Sequence, residues 1–415
     1  GNKSAWCLLA LAVAGVLTES ADAQQGIRVA TMNVSLYGKN AGEVAARLTG
    51  GEDPQARRVA EIIQRVAPDV LLLNEIDYEP DGNTLEIFLS EYLTVGQSTV
   101  SEVDPAPGLK FPHVYAGPVN TGVASGYDLN RDGRVVRTPG SRSYGGDAWG
   151  FGVYEGQYGM ALLSRFPIQT DAVRTFQKFR WAEMPDARLP DDPATDAPRY
   201  WYPAAALKHF RLSSKSHWDL PIEVSGRTLH VLASHPTPPV FDGPEDRNGR
   251  RNYDEIRFWA DYVSAEPATD YHLDDAGRRG DLEAGALFVI VGDLNGDPHD
   301  GQGSAGISRL LASEALLDYP PPSSRGGLEQ ARQQGGANTD HRGDPQHDTL
   351  DAADEPGPGN LRVDYVLPSR LLQVQDAGIF WPPEDDPLSS LTGTYPFPSS
   401  DHRLVWVDLI LPADE

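Results

Sequence analysis

LFVIVGDLNGDP, residues 287–298, is the stretch on which the reading of the fold turns. Leu287–Gly292 is a short unbroken apolar run, the pattern of a strand buried on both faces. Asp293, Asn295 and Asp297 follow it at once. Open sheets place binding sites just outside strand ends, so a polar cluster in this position marks a candidate site. The same arrangement recurs along the chain. Asn33 follows IRVATM, Glu75 follows VLLLN, His235 follows LHVLAS, Asp364 lies in RVDYVLPS, and Asp401-His402 opens SSDHRLVWVDL. One such residue is an ordinary turn former, because Asp and Asn side chains bond their own backbone. Two histidines, several carboxylates and two asparagines, each at a strand end, exceed what turn chemistry requires. Their mixed carboxylate and amide oxygens suit Mg²⁺ or Mn²⁺ and not a thiol-rich zinc site.

Ile27–Asn33 begins with period-2 alternation and predicts a strand. Val59, Ile62, Ile63 and Val66 form the i, i+3, i+4, i+7 stripe of an amphipathic helix over Pro54–Val66. Pro68 stops it, and Val70–Asn74 predicts a buried strand. Further strands are expected at Gly159–Leu163, Leu229–Ser234, Val363–Leu367 and Leu404–Ile410. A helix with Ile256, Trp259, Ala260 and Val263 on one face is expected before the Leu287 strand. Residues 183–199, 320–360 and 381–400 are rich in Pro, Gly and Asp and read as long loops without regular structure. Strands recur to the C-terminus with no internal repeat or clean linker, so residues 24–415 read as one mixed α/β domain with long loop insertions.

Residues 1–23 read as a signal peptide: Lys3, the apolar run Leu8–Leu17, and the small-x-small pattern Ala21-Asp22-Ala23. The run is far shorter than the roughly 20 apolar residues of a membrane span. The mature chain is therefore expected to begin near Gln24, to be secreted or periplasmic, and to carry no transmembrane segment. Cleavage would remove Cys7, the only cysteine, and with it any disulfide. The net charge is −25; loss of Lys3, Glu19 and Asp22 leaves −24. Such acidity disfavours loose wrapping around nucleic acid, though a local basic groove with bound cations remains compatible with it. There is no G-x-S-x-G elbow and no H-E-x-x-H helix, which argues against a serine hydrolase and a zinc metalloprotease.

TMN (31–33), NEID (74–77), ALLSRFPI (161–168), SHP (234–236), GDLNGDP (292–298), RVDYVLPS (362–369) and SDH (400–402) stand in the order of a known group. The chain resembles the endonuclease/exonuclease/phosphatase superfamily, which includes deoxyribonuclease I, abasic-site endonucleases, inositol polyphosphate 5-phosphatases and bacterial sphingomyelinases. GDLNGDP and SDH are the most specific pieces. The resemblance implies a four-layer α/β/β/α sandwich of two packed mixed sheets, with the site at one edge of the sheets. It implies that Glu75 binds the metal, with Asn33 supporting metal or phosphate and Asp401 beside the metal. Asp293 and Asn295 match the pair that handles the attacking water and the phosphate. Asp364 and His402 match the carboxylate–histidine pair, His235 the second histidine of the nuclease-type members, and Arg165 the arginine of their Ser-Arg-x-Pro segment.

Elementary chemistry agrees. A divalent ion can neutralise charge on phosphoryl oxygens, and a histidine beside a carboxylate stays protonated more readily than a free one. His235 is expected either to share that electrostatic role or to protonate the leaving group. Three segments depart from the family's minimal pattern. Asp128, Asn130 and Asp132 have the spacing of a calcium loop, yet Pro139 replaces the twelfth-position glutamate. Lys215 and His217 in SSKSHWD, and His341, Asp344 and Asp348, are candidates to touch substrate; Trp201-Tyr202 is a candidate for a lipid-facing aromatic pair. The expected activity is exported, Mg²⁺- or Mn²⁺-dependent hydrolysis of a phosphodiester or phosphomonoester by in-line water attack. The alternatives are a non-specific extracellular nuclease and a catalytically inactive scaffold that binds Ca²⁺ or a partner. The partner expected is a phosphate-ester substrate, with nucleic acid compatible but not required, and the chain is expected to be a monomer.

Overall fold

The computed structural model describes residues 26–195, 199–264, 270–353 and 356–412; the expected signal peptide lies outside them. The strands are β1 (Gly26–Leu36), β2 (Val70–Ile76), β3 (His113–Ala116), β4 (Gly159–Ser164), β5 (Arg174–Thr175), β6 (His217–Val224), β7 (Arg227–Ser234), β8 (Leu287–Asp293), β9 (Asp364–Pro368), β10 (Gln373–Ile379) and β11 (Val405–Ile410). They form two mixed sheets, in the orders β10-β11-β1-β2-β4-β3 and β5-β6-β7-β8-β9. β1 runs parallel to β2, and β7 parallel to β8; their other neighbours are antiparallel.

Side-chain alternation explains how the sheets meet. Ile27, Val29, Val70, Leu72 and Leu162 of the first sheet pack against Trp218, Leu220, Val231, Val289, Val291 and Val366 of the second. The opposite parity of the first sheet, including Met32, Val34, Leu71, Leu73 and Leu163, packs on the Pro54–Val66 helix. Asp53 caps that helix by accepting from the Ala56 N–H (2.8 Å), and Ala67 ends it in the left-handed region. On the far side, Phe288, Ile290 and Leu367 pack on helices Arg247–Tyr262 and Ser304–Leu311. The result is the expected four-layer α/β/β/α sandwich. Each fully buried aliphatic side chain contributes roughly 1.5–3 kcal/mol, so three apolar layers supply most of the driving force.

Several elements depart from the expectations. Residues 320–360 are not structureless: Arg325–Gln334 is a helix whose N-cap, Ser324, accepts from the Gly327 N–H (3.1 Å). Two glycines in its first turn hid it; a Cβ at Gly326 would collide with the Trp381 carbonyl. Within 381–400, Ser389–Thr392 forms one helical turn, and 183–199 begins on the 3-10 turn Trp181–Glu183. β3, β5 and β10 are short or exposed and lack an apolar run. β6 contains Pro221, which argues against a central strand. The Pro221 carbonyl, and so its missing N–H, faces the side where β5 pairs only with Trp218 and Asp219; Gln169 N–H donates there instead (2.8 Å).

Candidate active site

The inward parity of five strands runs straight into polar residues at one edge. Ile27 and Val29 continue to Asn33, Val70 and Leu72 to Asn74, Val231 and Ala233 to His235, Val289 and Val291 to Asp293, and Val366 back to Asp364. The apolar interlayer thus ends in a polar cluster that the same alternation aims between the sheets. Glu75 is the exception. By parity it would face the outer helices, but the β1–β2 and β2–β4 registers both shift around it and its φ is +58°. This bulge swings the carboxylate into the cluster. Gly292 has φ +147°, and a Cβ there would collide with the Ser234 carbonyl, so glycine lets β7 and β8 close up immediately before Asp293.

Asp293 is the hub. Its Oδ2 accepts from Asn33 Nδ2 (3.1 Å) and lies 3.3 Å from His235 Nε2 and 3.7 Å from His402 Nε2. Its Oδ1 accepts from the Asn295 N–H (3.0 Å), and its own N–H donates to Asn74 Oδ1 (3.2 Å), tying the two sheets together. His402 Nδ1 is 2.8 Å from Asp364 Oδ2 and donates to it. Glu75 Oε1 lies 3.9 Å from His235 Nε2. Asp401 accepts from Ser35 Oγ (3.1 Å), and Asn295, at φ +51°, donates Nδ2 to the Pro236 carbonyl (3.0 Å). The sequence-predicted residues Asn33, Glu75, His235, Asp293, Asn295, Asp364, Asp401 and His402 are therefore assembled at one edge.

Burial and charge set the protonation states. Burial pushes Asp293 up to about 7, with Asp364 and Glu75 adding repulsion against the pull of His402. Burial likewise raises Glu75. Burial opposes a charge on His402, but the Asp364 and Asp293 carboxylates outweigh it and hold its pKa well above the ordinary value. His235 behaves oppositely: burial, then Lys215 and His402, drive it well below the ordinary value. The shift favours a neutral imidazole at His235, which speaks against the first of its two expected roles, a cation beside the phosphate. Its Nε2 faces carboxylates, and among the described contacts its buried Nδ1 has no partner.

Two groups of side chains present ligand atoms within 4.8 Å of one another: Glu75, His235 and Asp293, and Asp293, Asp364 and His402. In the second, the Asp364 and Asp293 carboxylates favour the protonated form of His402, which makes it a poor ligand. The first fits a divalent cation: neutral imidazole plus two carboxylates whose pKa values burial has raised, so that a cation would relieve their desolvation.

Other expected residues lie elsewhere. Arg165 follows β4, whose end pairs with the beginning of β2, whereas the site forms at the end of β2. There Arg165 is 42% exposed and pairs with Asp69 (3.1 Å), so it is not a phosphate ligand of this site. Arg165→Ala is expected to change kcat/KM less than twofold and stability by at most about 1 kcal/mol, read by steady-state kinetics and thermal unfolding. The Asp128, Asn130 and Asp132 carboxyl and amide oxygens accept from the loop's own N–H groups at 132, 133 and 134, as in an Asx-rich turn. His217 is a core histidine between Phe258 and Trp259, lowered by burial to about 3. Lys215, by contrast, is buried beside Glu75 and Asp293. His341 Nε2 donates to the Pro358 carbonyl (2.7 Å), Asp344 caps a 3-10 turn, and Asp348 is buried near Asp297 and Asp300. Tyr202 is buried in the core of the second sheet. Asn74 received no role from the sequence, although its parity with Val70 and Leu72 was the available signal. Tyr37, which is exposed beside Glu75 and Asp401 with its ring 4.6 Å from that of Tyr158, offered none.

Solved structures with a similar chain path include an endonuclease/exonuclease/phosphatase from Beutenbergia cavernae (17% identity, TM-score 0.48, covering 94% of this chain and 72% of that one). Others are sphingomyelinase C from Streptomyces griseocarneus (14%, 0.45, 92% and 99%) and truncated Caenorhabditis elegans TDP2 (15%, 0.40, 93% and 97%). No curated protein matches the sequence. Residues 31–402, from the strand that carries Asn33 to His402 itself, match the Endonuclease/Exonuclease/phosphatase family, and the chain belongs to that family.

Proposed function

We propose that this chain is an exported, divalent-metal-dependent phosphoesterase that hydrolyses a phosphodiester or phosphomonoester by in-line attack of water. The observation that carries the reading is Asp293: a buried carboxylate raised to about 7, shared by Asn33, His235 and His402, with Glu75 beside it. That value belongs to the metal-free site; a cation beside Glu75 lowers it, and the ionised carboxylate is then the group placed to take a proton from water. His402, kept cationic by Asp364, stabilises charge developing on a phosphoryl oxygen. Burial lowers the Lys215 pKa, while the Glu75, Glu255 and Asp293 carboxylates favour its charged form. Asn33 orients the base, and the Asx-type turn at Asn295 fixes its second oxygen. A divalent cation held by Glu75, with Asn33, Asp401 and His235 as neighbours, would supply Lewis-acid neutralisation of the phosphoryl oxygens. Mg²⁺ or Mn²⁺ suits that oxygen-rich set.

The substrate is a phosphate ester; nucleic acid is not required. The nuclease alternative loses Arg165 from its support and keeps His235. Export rests on the residue 1–23 pattern. The test incubates the purified protein with Mg²⁺, Mn²⁺, Ca²⁺ or EDTA against plasmid DNA, bis-p-nitrophenyl phosphate, p-nitrophenyl phosphate and sphingomyelin. Metal-dependent turnover abolished by EDTA is expected, and the substrate that turns over selects the branch. Metal binding without turnover of any of the four would reduce the reading to a binding role.

A further inference from the structure

The three segments that deliver Lys215, His235 and Asn295 belong to different strand ends, yet they are tied to one face of a single helix, Arg247–Tyr262. Glu255 is fully buried and uses one carboxylate oxygen for each of two segments. Its Oε1 accepts from the Ser214 N–H (2.6 Å), directly before Lys215, and its Oε2 from the Thr237 N–H (2.6 Å), two residues after His235. Asn252, one turn earlier and also fully buried, directs Nδ2 at three carbonyls: Thr237 (2.9 Å), Leu294 (3.0 Å) and Asn295 (3.2 Å). The same helix face adds Trp259 Nε1 donating to Ser234 Oγ (2.8 Å), and the Glu255 carbonyl accepting from His217 Nε2 (2.8 Å).

Two buried polar side chains at i and i+3 are costly, and because Asn252 Oδ1 has no partner among the described contacts that cost is only partly offset. A fold that needed only to attach the helix could use apolar side chains here. What Glu255 and Asn252 provide instead is directional: five hydrogen bonds, each to the backbone of a residue within two positions of a side chain in the active site. We propose that Glu255 and Asn252 are positioning residues that set the mutual spacing of Lys215, His235 and Asn295, and with it the geometry of phosphate-ester hydrolysis. Neither touches substrate; both act through the backbone they hold. A misplacement of about 1 Å at such a site can cost about 100-fold in rate.

The test uses the full chain in Asn252→Ala, Glu255→Ala and Glu255→Gln, with Ile256→Val as a buried apolar neighbour on the same helix. The kinetic arm rests on the phosphoesterase reading; the crystallographic arm does not. The kinetic expectation, per folded molecule, is a kcat fall of about 100-fold in Asn252→Ala and Glu255→Ala with KM within about threefold. Glu255→Gln, which keeps the volume and one acceptor, should recover about tenfold of that loss, and Ile256→Val should keep the wild-type kcat. In crystals of Asn252→Ala, residues 235–237 and 294–295 should separate by about 1 Å relative to wild type. If Glu255→Ala does not fold, Glu255→Gln and Asn252→Ala carry the comparison. Variants that lose no more kcat per folded molecule than Ile256→Val overturn the proposal. So do unmoved loops in the Asn252→Ala crystal, whether or not the wild type turns over any substrate.

Discussion

Asp293→Asn is expected to lower kcat at saturating metal by about 10⁴-fold, close to 5.5 kcal/mol of barrier. The substitution conserves volume, and the asparagine carbonyl oxygen can still accept from the Asn295 N–H. What it cannot do is take a proton. The same variant carries a second, opposite signature in metal-free protein. Burial raises Asp293 to about 7, so the native state binds a proton that the unfolded state, with an ordinary carboxylate, has released. Wild-type stability therefore declines as pH climbs from the ordinary carboxylate range through about 7, and the variant lacks that decline. Thermal unfolding in EDTA should show Asp293→Asn gaining on wild type between about pH 4 and pH 8, then running level. A variant at once much slower and more stable at pH 8 marks a group whose burial serves reactivity. Retention of more than about a tenth of wild-type kcat would remove Asp293 from the role of base.

The sequence made the site legible because a two-residue period cannot be interrupted without changing faces. Asn33, His235, Asp293 and Asp364 each extend the inward parity of an apolar strand, so their convergence follows once the strands are paired. Glu75 breaks that rule. Its alternation points outward, and only a left-handed bulge returns it; its place at a strand end and the NEID match mark it where periodicity alone would discard it. Arg165 failed for the converse reason. It has the local Ser-Arg-x-Pro pattern, but β4 runs antiparallel to β2, which carries the residue to the other end of the sheet. Spacing along a chain says nothing about which end of a strand is used. The Arg325–Gln334 helix was hidden because its glycines are required by neighbouring carbonyls and not by helix propensity.

Asn252 and Glu255 lay in plain view on the stripe that Ile256, Trp259 and Ala260 define. A helix read for its apolar period treats polar residues on the buried face as noise. Full burial with every hydrogen bond directed at site-bearing backbone shows that they were the more informative positions. Asn74 is a similar case within a strand, where an inward amide joins Asp293 to Thr31 across the two sheets.

Asp364→Asn should reduce kcat by about 10²- to 10³-fold near pH 8, and by progressively less as pH falls. In the wild type the Asp364 carboxylate and its 2.8 Å hydrogen bond help hold the His402 pKa well above its ordinary value, against burial. With asparagine in its place, burial dominates and the imidazole loses its charge at lower pH. The basic limb of the kcat profile should therefore move toward acid. His402→Ala should instead lose activity about equally across the range, because no pH restores a charge there. Stability runs the other way. A histidine whose folded pKa is raised contributes stability that is fully present below about 6.5 and is lost as pH rises through the folded value. The stability deficit of Asp364→Asn should thus be largest near pH 5 and shrink toward pH 9, while its rate deficit grows over the same interval. Paired kcat–pH and unfolding–pH curves separate the two. A basic limb that stays at the wild-type position in Asp364→Asn would assign that limb to another group, with Lys215, buried beside Glu75 and Asp293, the next to be tested.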